Sequence, residues 1–265
     1  MLKRGRAAKM AEMIKGIADR DKAGRSYYTS NGYTYELHPD YGRFPDCFGL
    51  TMYSGGCCDK EDNLFLSTRD VDHPIMMLDP EGNYVTDFGK GLFKETHTLC
   101  VTPDDTLLCV DVAMHVLREI SKDGELIRDI GTPGVPSDSG FDPDIWRKRQ
   151  RMGKYVPTDV SFDKGWSFFM GVGTIKRAAP PFNKPTGVAF APSGDLFVSD
   201  GYGNAAIHRF TRDGKLVRTW GGPGDEPGRF VVPHCLCVDV LGRIWVGDRH
   251  VLFATRLRGG NLAKR

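Results

Sequence analysis

The stretch FNKPTGVAFAPSGDLFVSD, residues 182–200, indicates how the chain folds. It contains a turn that leads into a strand, a tight turn at Pro192-Ser193-Gly194, and a second strand that stops at Asp200. The whole chain has 32 glycines and 16 prolines, which supply turns for many such strand pairs. The sequence therefore predicts an all-β protein.

Related units recur along the chain, and their starts align four times. Each copy begins with phenylalanine and has an aliphatic residue six positions later. The four copies are Phe44–Leu50, Phe93–Leu99, Phe182–Val188 and Phe230–Leu236. The middle spacing between copies is nearly twice as long as the other two. The fifth position of the copies is occupied by Phe48, His97, Thr186 and His234.

Repeats of about 45 residues with four short strands each are typical of the blades of a β-propeller. The inner strands of such blades begin at the central channel. His97 and His234 hold the same repeat position, so we expect them to face one small volume. Three inner strands end in aspartates that we expect to accept hydrogen bonds from turn amides; these are Asp111, Asp200 and Asp248.

The composition argues against several classes of partner. The 265 residues include 36 basic and 34 acidic side chains, for a formal net charge of +2, which gives no reason to expect DNA binding. No apolar run approaches the ~20 residues of a membrane span. No secretory signal is visible, which favours a cytoplasmic location. The 7 cysteines lack CxxC pairs and favour buried free thiols over a disulfide framework or a structural zinc site.

Two segments lie outside the repeats. Residues 1–30 are basic and predict a helix or tail, while residues 31–265 are assigned to the propeller. Residues 132–181 form an insertion without repeat character, and loops of this length tend to be functional or disordered. Its aromatic residues suit an anionic or aromatic ligand beside the basic run 147–151, or they pack on the propeller rim. These aromatic residues include Trp146, Trp166, Phe168 and Phe169.

Several motifs together point to one family. They are Thr96–Leu99, Val110–Val116, Pro185–Ala189, Val198–Asn204, Trp220-Gly221 with Pro227–Phe230, Pro233-His234 and Gly247–Arg249. Through them, residues 44–249 resemble the NHL-type β-propellers of peptidyl-α-hydroxyglycine α-amidating lyase and its bacterial relatives. The resemblance implies six blades, of which four repeats are visible in this chain.

The resemblance also implies two metal ions. A zinc ion is expected in the channel, held by three histidines, of which His97 and His234 match two. A calcium ion is expected below it, bound by backbone carbonyls at positions that match Leu50 and Leu99. The third zinc ligand lies in a blade that this sequence does not reach, so an acidic side chain, a second chain or another histidine must replace it. The other candidate histidines are His73, His115, His208 and His250.

The expected activity follows from the remaining matches. Tyr202 matches the tyrosine thought to act as base, and Arg69 and Arg249 match arginines near the substrate carboxylate. Zinc would lower the pKa of a substrate hydroxyl, and a nearby arginine would lower the pKa of the tyrosine. Planar guanidinium groups bind a carboxylate with two hydrogen bonds. The predicted reaction breaks a C–N bond of a small or peptide α-hydroxy substrate that carries a carboxylate, releasing an amide and glyoxylate.

Plainer interpretations of the same residues remain open. The two histidines are then satisfied core residues, Tyr202 is a turn tyrosine, and the two arginines form salt bridges between blades. The protein would in that case be a non-catalytic NHL propeller that binds a protein, peptide or RNA. A lactonase-like hydrolase is a further alternative, and it requires carboxylate metal ligands in the channel.

Overall fold

The computed structural model describes residues 19–20, 25–30, 32–38, 41–45, 48, 51–152, 168–249, 255–258 and 261–264. Most of these residues lie in strands and tight turns. The predicted all-β class is confirmed for this part of the chain.

A small sheet precedes four larger ones, and all of them are antiparallel meanders. The small sheet contains β1 (Asp19–Arg20), β2 (Ser26–Ser30) and β3 (Tyr33–Leu37). Sheet 1 contains β4 (Tyr53–Cys58), β5 (Leu64–Thr68), β6 (Ile75–Leu78) and β7 (Tyr84–Phe88). Sheet 2 contains β8 (Thr96–Val101), β9 (Leu107–Asp111), β10 (Val116–Ile120) and β11 (Leu126–Ile130). Sheet 3 contains β12 (Gly187–Phe190), β13 (Leu196–Asp200), β14 (Ala206–Phe210) and β15 (Leu216–Gly221). Sheet 4 contains β16 (Pro233–Val238), β17 (Ile244–Asp248), β18 (Thr255–Arg258) and β19 (Asn261–Lys264).

The large sheets pack face to face in chain order. A hydrophobic cluster fills each junction between successive sheets. The buried phenylalanines are Phe65 and Phe93 between sheets 1 and 2, Phe182 and Phe210 between sheets 2 and 3, and Phe197 and Phe230 between sheets 3 and 4. Phe93, Phe182 and Phe230 open the last three repeats, and each is at most 4% exposed. Burying such a side chain stabilises the fold by about 1.5–3 kcal/mol. The repeat phenylalanine therefore joins one sheet to the next.

The first strands of the sheets are neighbours in space. β4 lies beside β8, β8 beside β12, and β12 beside β16. Side chains near the starts of these strands therefore converge, as expected for a propeller-like arrangement.

Buried carboxylates fix the loop that precedes each of these strands in sheets 2 to 4. The carboxylates belong to Asp111, Asp200 and Asp248, all at most 6% exposed. Each accepts hydrogen bonds from backbone N–H groups of that loop in its own sheet. Asp248, for example, accepts from Val231 and Val232 at 2.9 and 2.7 Å. The structural role predicted for these aspartates is thus confirmed.

The first repeat begins later than the sequence alignment predicts. The register of β4 on β5 matches the register of β8 on β9. This register gives Ser54, not Phe48, the position of His97. Phe44 instead packs on Tyr53, with ring centroids 5.5 Å apart. The alignment was wrong here because phenylalanine followed by an aliphatic residue is a pattern that other packed segments also show.

The N-terminal prediction is corrected where the structure describes it. Asp19–Arg20 and Ser26–Ser30 are strands of the small sheet, whereas residues 1–30 were predicted as a helix or tail. Residues 1–18 lie outside the described part of the chain. The tyrosines and threonines of β2 and β3 favour a strand over a helix.

The insertion is partly helical. It contains α1 (Ile145–Arg151) and a helical turn at residues 168–172, while residues 153–167 lie outside the described part. Ion pairs join Lys148 to Asp142 and Arg147 to Asp144 across the basic face. The turn at 168–172 packs on the junction of sheets 3 and 4 through Val172.

The cysteine prediction holds only in part. Six described cysteines are free, but Cys58, Cys235 and Cys237 are exposed, not buried. Cys235 and Cys237 project from the face of β16 that does not pack on sheet 3. In the part of the chain that the structure describes, no helix has the length and apolar character needed to cross a membrane.

The turn that follows β13 is pressed against sheet 4. A Cβ atom added to Gly201 would lie 2.2 Å from the carbonyl oxygen of Pro233, at the start of β16. Gly203 lies similarly close to the loop before β12. Tyr202 is held between these two glycines and is therefore presented beside the start of β16.

Replacing Gly201 by alanine is expected to lower the free energy of unfolding by about 1–3 kcal/mol, because the new methyl group would force sheets 3 and 4 apart. Urea unfolding measures this change. Gly173→Ala is the control, because its added Cβ would meet nothing closer than 3.5 Å. Equal stability of the two variants would show that the turn is not pressed against β16.

Asp59 generates a second prediction about the fold. Its carboxylate accepts hydrogen bonds from the Lys122 ammonium at 2.9 Å and from Asn63, and so joins sheet 2 to sheet 1. Burial raises the pKa of Asp59, but these hydrogen bonds outweigh burial and lower that pKa to about 2. The stabilisation is therefore complete above pH ~4 and is lost as the pH falls toward 2.

Asp59→Asn is expected to lower the free energy of unfolding by about 1–3 kcal/mol at pH 7, because Lys122 loses a charged partner. The difference in the free energy of unfolding between this variant and the unchanged protein should become smaller as the pH falls from ~4 to ~2. Urea titrations across this range measure it. Asp72→Asn removes the exposed ion pair with Lys90 and should have little effect. A difference that persists unchanged at pH 2 would contradict the assignment.

Candidate active site

Residues from three sheets meet where the first strands begin. His97 is the second residue of β8 and His234 is the second residue of β16. Their ring centroids are 4.9 Å apart, although β12 lies between the two strands. The structure thus brings together the two histidines that the repeat alignment pairs.

Tyr202 lies between the two imidazoles. Its hydroxyl oxygen is 3.0 Å from Nε2 of His97 and 2.8 Å from Nε2 of His234. Both distances are those of hydrogen bonds. Three polar atoms therefore converge within a partly buried space, one from each of sheets 2, 3 and 4.

Burial dominates the electrostatics of this site. Removal from water, and next the neighbouring His234 and Arg69, lower the pKa of His97 to about 3, so its ring is neutral at pH 7. Burial also raises the pKa of Tyr202, although Arg249 and Arg69 oppose this effect. The two arginines therefore lower the pKa of Tyr202, as expected, but by less than burial raises it. A neutral His97 imidazole beside a protonated phenol is the result.

The insertion covers one side of the site. Phe168 packs edge-on against Tyr202, with ring centroids 5.1 Å apart. The propeller rim was one of the two places expected for this aromatic residue. The contact with Tyr202 was not predicted, because nothing in the spacing of the insertion relates Phe168 to the repeats.

The two predicted arginines differ in their surroundings. Arg69 forms an ion pair with Glu95, which lies just before β8, so it joins sheet 1 to sheet 2 as the plainer interpretation proposed. Arg249 is exposed and has no carboxylate partner within the described residues. Both lie close enough to Tyr202 to lower its pKa. No repeat position or motif pointed to Glu95.

The donor set fits zinc in part. The Nε2 atoms of two histidines face one point, and catalytic zinc sites use histidine nitrogens with one coordination position open. Within the described residues, however, no group of three or more histidine, cysteine, aspartate or glutamate side chains is arranged to hold a metal ion. The residues fit a zinc site that is completed from outside this set.

The other candidate histidines make different contacts. His73 bonds Asp87 at 2.7 Å, His115 accepts a hydrogen bond from the Lys184 amide, and His208 is buried beside Thr219. His250 lies outside the described residues. The sequence analysis proposed each of these histidines as a replacement for the third ligand.

The predicted calcium positions are only partly described. Leu99 is 2% exposed and packs in the cluster between sheets 1 and 2. Leu50 lies outside the described residues. The register of β4 also makes Gly56, not Leu50, the residue of sheet 1 that is equivalent to Leu99.

Comparisons with known proteins bear on these findings. Residues 182–210 match the NHL repeat family. Peptidyl-alpha-hydroxyglycine alpha-amidating lyase 1 of Drosophila melanogaster is 32% identical over 149 residues, which are 56% of this chain and 20% of that protein. NHL repeat-containing protein 3 of Mus musculus is 25% identical over 225 residues, which are 78% of this chain and 63% of that protein. The chain thus spans only a fifth of the lyase.

The fold has relatives among solved structures. A streptogramin B lyase structure superposes with a TM-score of 0.53 at 13% identity, covering 93% of this chain and 66% of that chain. At this identity the likeness supports the propeller-like architecture alone. The match at residues 182–210 falls on the stretch from which the repeats were recognised. The chain therefore contains a match to the NHL repeat at residues 182–210, has a propeller-like fold, and resembles the peptidyl-alpha-hydroxyglycine alpha-amidating lyases.

Proposed function

We propose that this protein is a zinc-dependent lyase that cleaves the C–N bond of a small α-hydroxy substrate carrying a carboxylate. One observation supports the proposal most strongly. The Tyr202 hydroxyl lies between Nε2 of His97 and Nε2 of His234, so a base and two metal-binding nitrogens surround one point. The amidating-lyase resemblance supplies the reaction class.

His97 and His234 would hold the zinc, and a ligand from outside the described residues would complete the site. Zinc at this point would supply positive charge that lowers the pKa of both the substrate hydroxyl and the Tyr202 phenol. That effect opposes the burial that raises the pKa of Tyr202. A structural calcium ion near the Leu99 carbonyl remains part of the proposal.

Arg249 is the better candidate for binding the substrate carboxylate. It is exposed and close to Tyr202, and its planar group can donate two parallel hydrogen bonds. Arg69 is already paired with Glu95, so it contributes positive charge to the site without offering a free fork. The substrate carboxylate would then lie beside Arg249, and Phe168, which packs edge-on against Tyr202, would help to shield the tyrosine from water.

The proposed step conserves atoms and charge. Tyr202 must first lose its phenol proton to solvent, which bound zinc would favour by lowering its pKa. The phenolate then takes the proton of the substrate hydroxyl, and the freed electron pair on oxygen forms the carbonyl of glyoxylate. The C–N bond breaks, its electron pair moves to nitrogen, and the nitrogen gains a proton to give the amide. Tyr202 can return the proton it accepted, so no further reactant is needed.

Elemental analysis of the purified chain tests the metal. We expect about one zinc per chain, lost in the double variant His97→Ala/His234→Ala because both nitrogen donors are removed. Glyoxylate release from N-benzoyl-α-hydroxyglycine should be lost with it. His38→Ala removes an exposed histidine and should change neither result. Absence of zinc, and of glyoxylate release after zinc is added, would overturn the proposal.

Tyr202→Phe tests the base. The expected result is a fall in kcat of about 10²–10⁴ with zinc content retained, because proton transfer is lost while both histidines remain. Steady-state glyoxylate release measures it. Tyr41→Phe is the control, since this tyrosine bonds the Pro80 carbonyl away from the site. An unchanged kcat in Tyr202→Phe would remove the tyrosine from the mechanism.

A binding function is the second candidate. NHL repeat-containing protein 3 matches more of this chain than the lyase does, and its name records only the repeat. A propeller without catalytic metal that binds a protein, peptide or RNA would fit this match. The zinc measurement above separates the two candidates.

A further inference from the structure

We propose that Thr98 is a positioning residue that fixes the proton of His97 on Nδ1, so that the Nε2 lone pair faces the centre of the site. The same arrangement makes Tyr202 the donor to His97 and the acceptor from His234. Its consequence for zinc rests on the proposed function, whereas the proton arrangement itself does not.

The hydroxyl of Thr98 has one hydrogen and two neighbours. Its oxygen lies 2.8 Å from the carbonyl oxygen of Thr186, which can only accept. It also lies 3.1 Å from Nδ1 of His97. Both hydrogen bonds exist together only if Thr98 donates to Thr186 and accepts from His97. Nδ1 of His97 therefore carries the proton.

The same donor and acceptor rules apply to the hydrogen bonds of Tyr202 with the two histidines. A neutral imidazole carries one proton, so Nε2 of His97 has a lone pair and accepts from Tyr202 at 3.0 Å. The single hydrogen of the Tyr202 hydroxyl is then used. The contact of 2.8 Å to His234 is a hydrogen bond only if Nε2 of His234 donates. In the metal-free protein, Nε2 of His97 thus lacks a proton, whereas Nε2 of His234 carries one.

The residue that follows each histidine differs between the two sheets. Thr98 follows His97, whereas Cys235 follows His234 at the equivalent position of sheet 4. Thr98 bonds Thr186, the residue just before β12, and the side chain of Cys235 is exposed. Only sheet 2 therefore has a hydroxyl at this place that both accepts from a ring and donates to the next sheet.

A metal ligand needs a bare nitrogen, and ligating histidines usually donate their other N–H to a neighbouring acceptor. His97 already satisfies both conditions, because its Nδ1 has the Thr98 oxygen as an acceptor and the ring also bonds the Thr186 carbonyl. His234 must first give up its Nε2 proton. His97 is therefore the preorganised ligand, and removal of its acceptor should weaken zinc binding.

The proton arrangement is tested in the metal-free protein by ¹⁵N NMR of the imidazole rings at pH 7. We expect a bare-nitrogen resonance for Nε2 of His97 and a protonated-nitrogen resonance for Nε2 of His234. This measurement requires no variant for its first result. The same tautomer for both rings, or a proton on Nε2 of His97, would overturn the proposal.

Thr98→Val and Thr98→Ser test the residue itself. Valine keeps the shape without the oxygen, so His97 should become a mixture of tautomers, and zinc affinity should fall about 10–100-fold. Serine should restore both. Thr86→Val is the matched control on an exposed strand position of sheet 1. Competition between the protein and a chromophoric chelator for zinc measures the affinity.

The outcomes separate this inference from the proposed function. If the tautomers are as expected but the protein binds no zinc, the lyase proposal fails and the role of Thr98 stands. If zinc binds and Thr98→Val changes neither the tautomer nor the affinity, the role of Thr98 fails and the lyase proposal stands.

Discussion

The arrangement of the first strands depends on buried carboxylates at the ends of β9, β13 and β17. Each aspartate accepts backbone N–H groups from the loop that enters its own sheet. An unpaired buried carboxylate or amide would cost about 1–3 kcal/mol or more, so the loop has one favourable position. His97 and His234 follow these loops directly. The position of each imidazole is thus set by a carboxylate on the neighbouring strand of the same sheet.

Hydroxyl groups then fix the distance between sheets. Sheets 1 and 3 have Ser54 and Thr186 where sheets 2 and 4 have histidine. Ser54 donates to the Thr96 carbonyl at 3.0 Å, and Thr186 donates to the Pro233 carbonyl at 2.8 Å. In both cases the acceptor is the residue just before a histidine. Alternate sheets therefore supply the hydroxyl that holds the next histidine strand in register.

Much of the fold followed from the sequence because it rests on local patterns. Turn residues, strand alternation and the repeat phenylalanine predicted four sheets, and the structure places that phenylalanine at three sheet junctions. The first repeat was misaligned because strand register depends on pairing with β5, which Phe44 does not reveal. The N-terminal strands were missed because basic composition says little about pairing partners.

The candidate site was predictable only where it uses the repeats. His97 and His234 share a repeat position, so their proximity follows from the fold. Tyr202 was identified from a motif that contains glycines on both sides of it. The structure explains the first of these glycines, because Gly201 lies too close to Pro233 for any side chain. Phe168 and Glu95 reach the site from an insertion and from a loop. Neither has a periodicity, so only the folded chain shows where they lie.

Because the site is shared among sheets 2, 3 and 4, its precision is set by packing between sheets and not within one. Protein interiors resist small displacements, so a shift of one junction moves an imidazole relative to the tyrosine. The Phe182 junction separates His97 from Tyr202, and the Phe230 junction separates Tyr202 from His234. Core residues far from the three polar atoms therefore affect their distances. The same side chains that stabilise the fold also determine whether the candidate site is assembled.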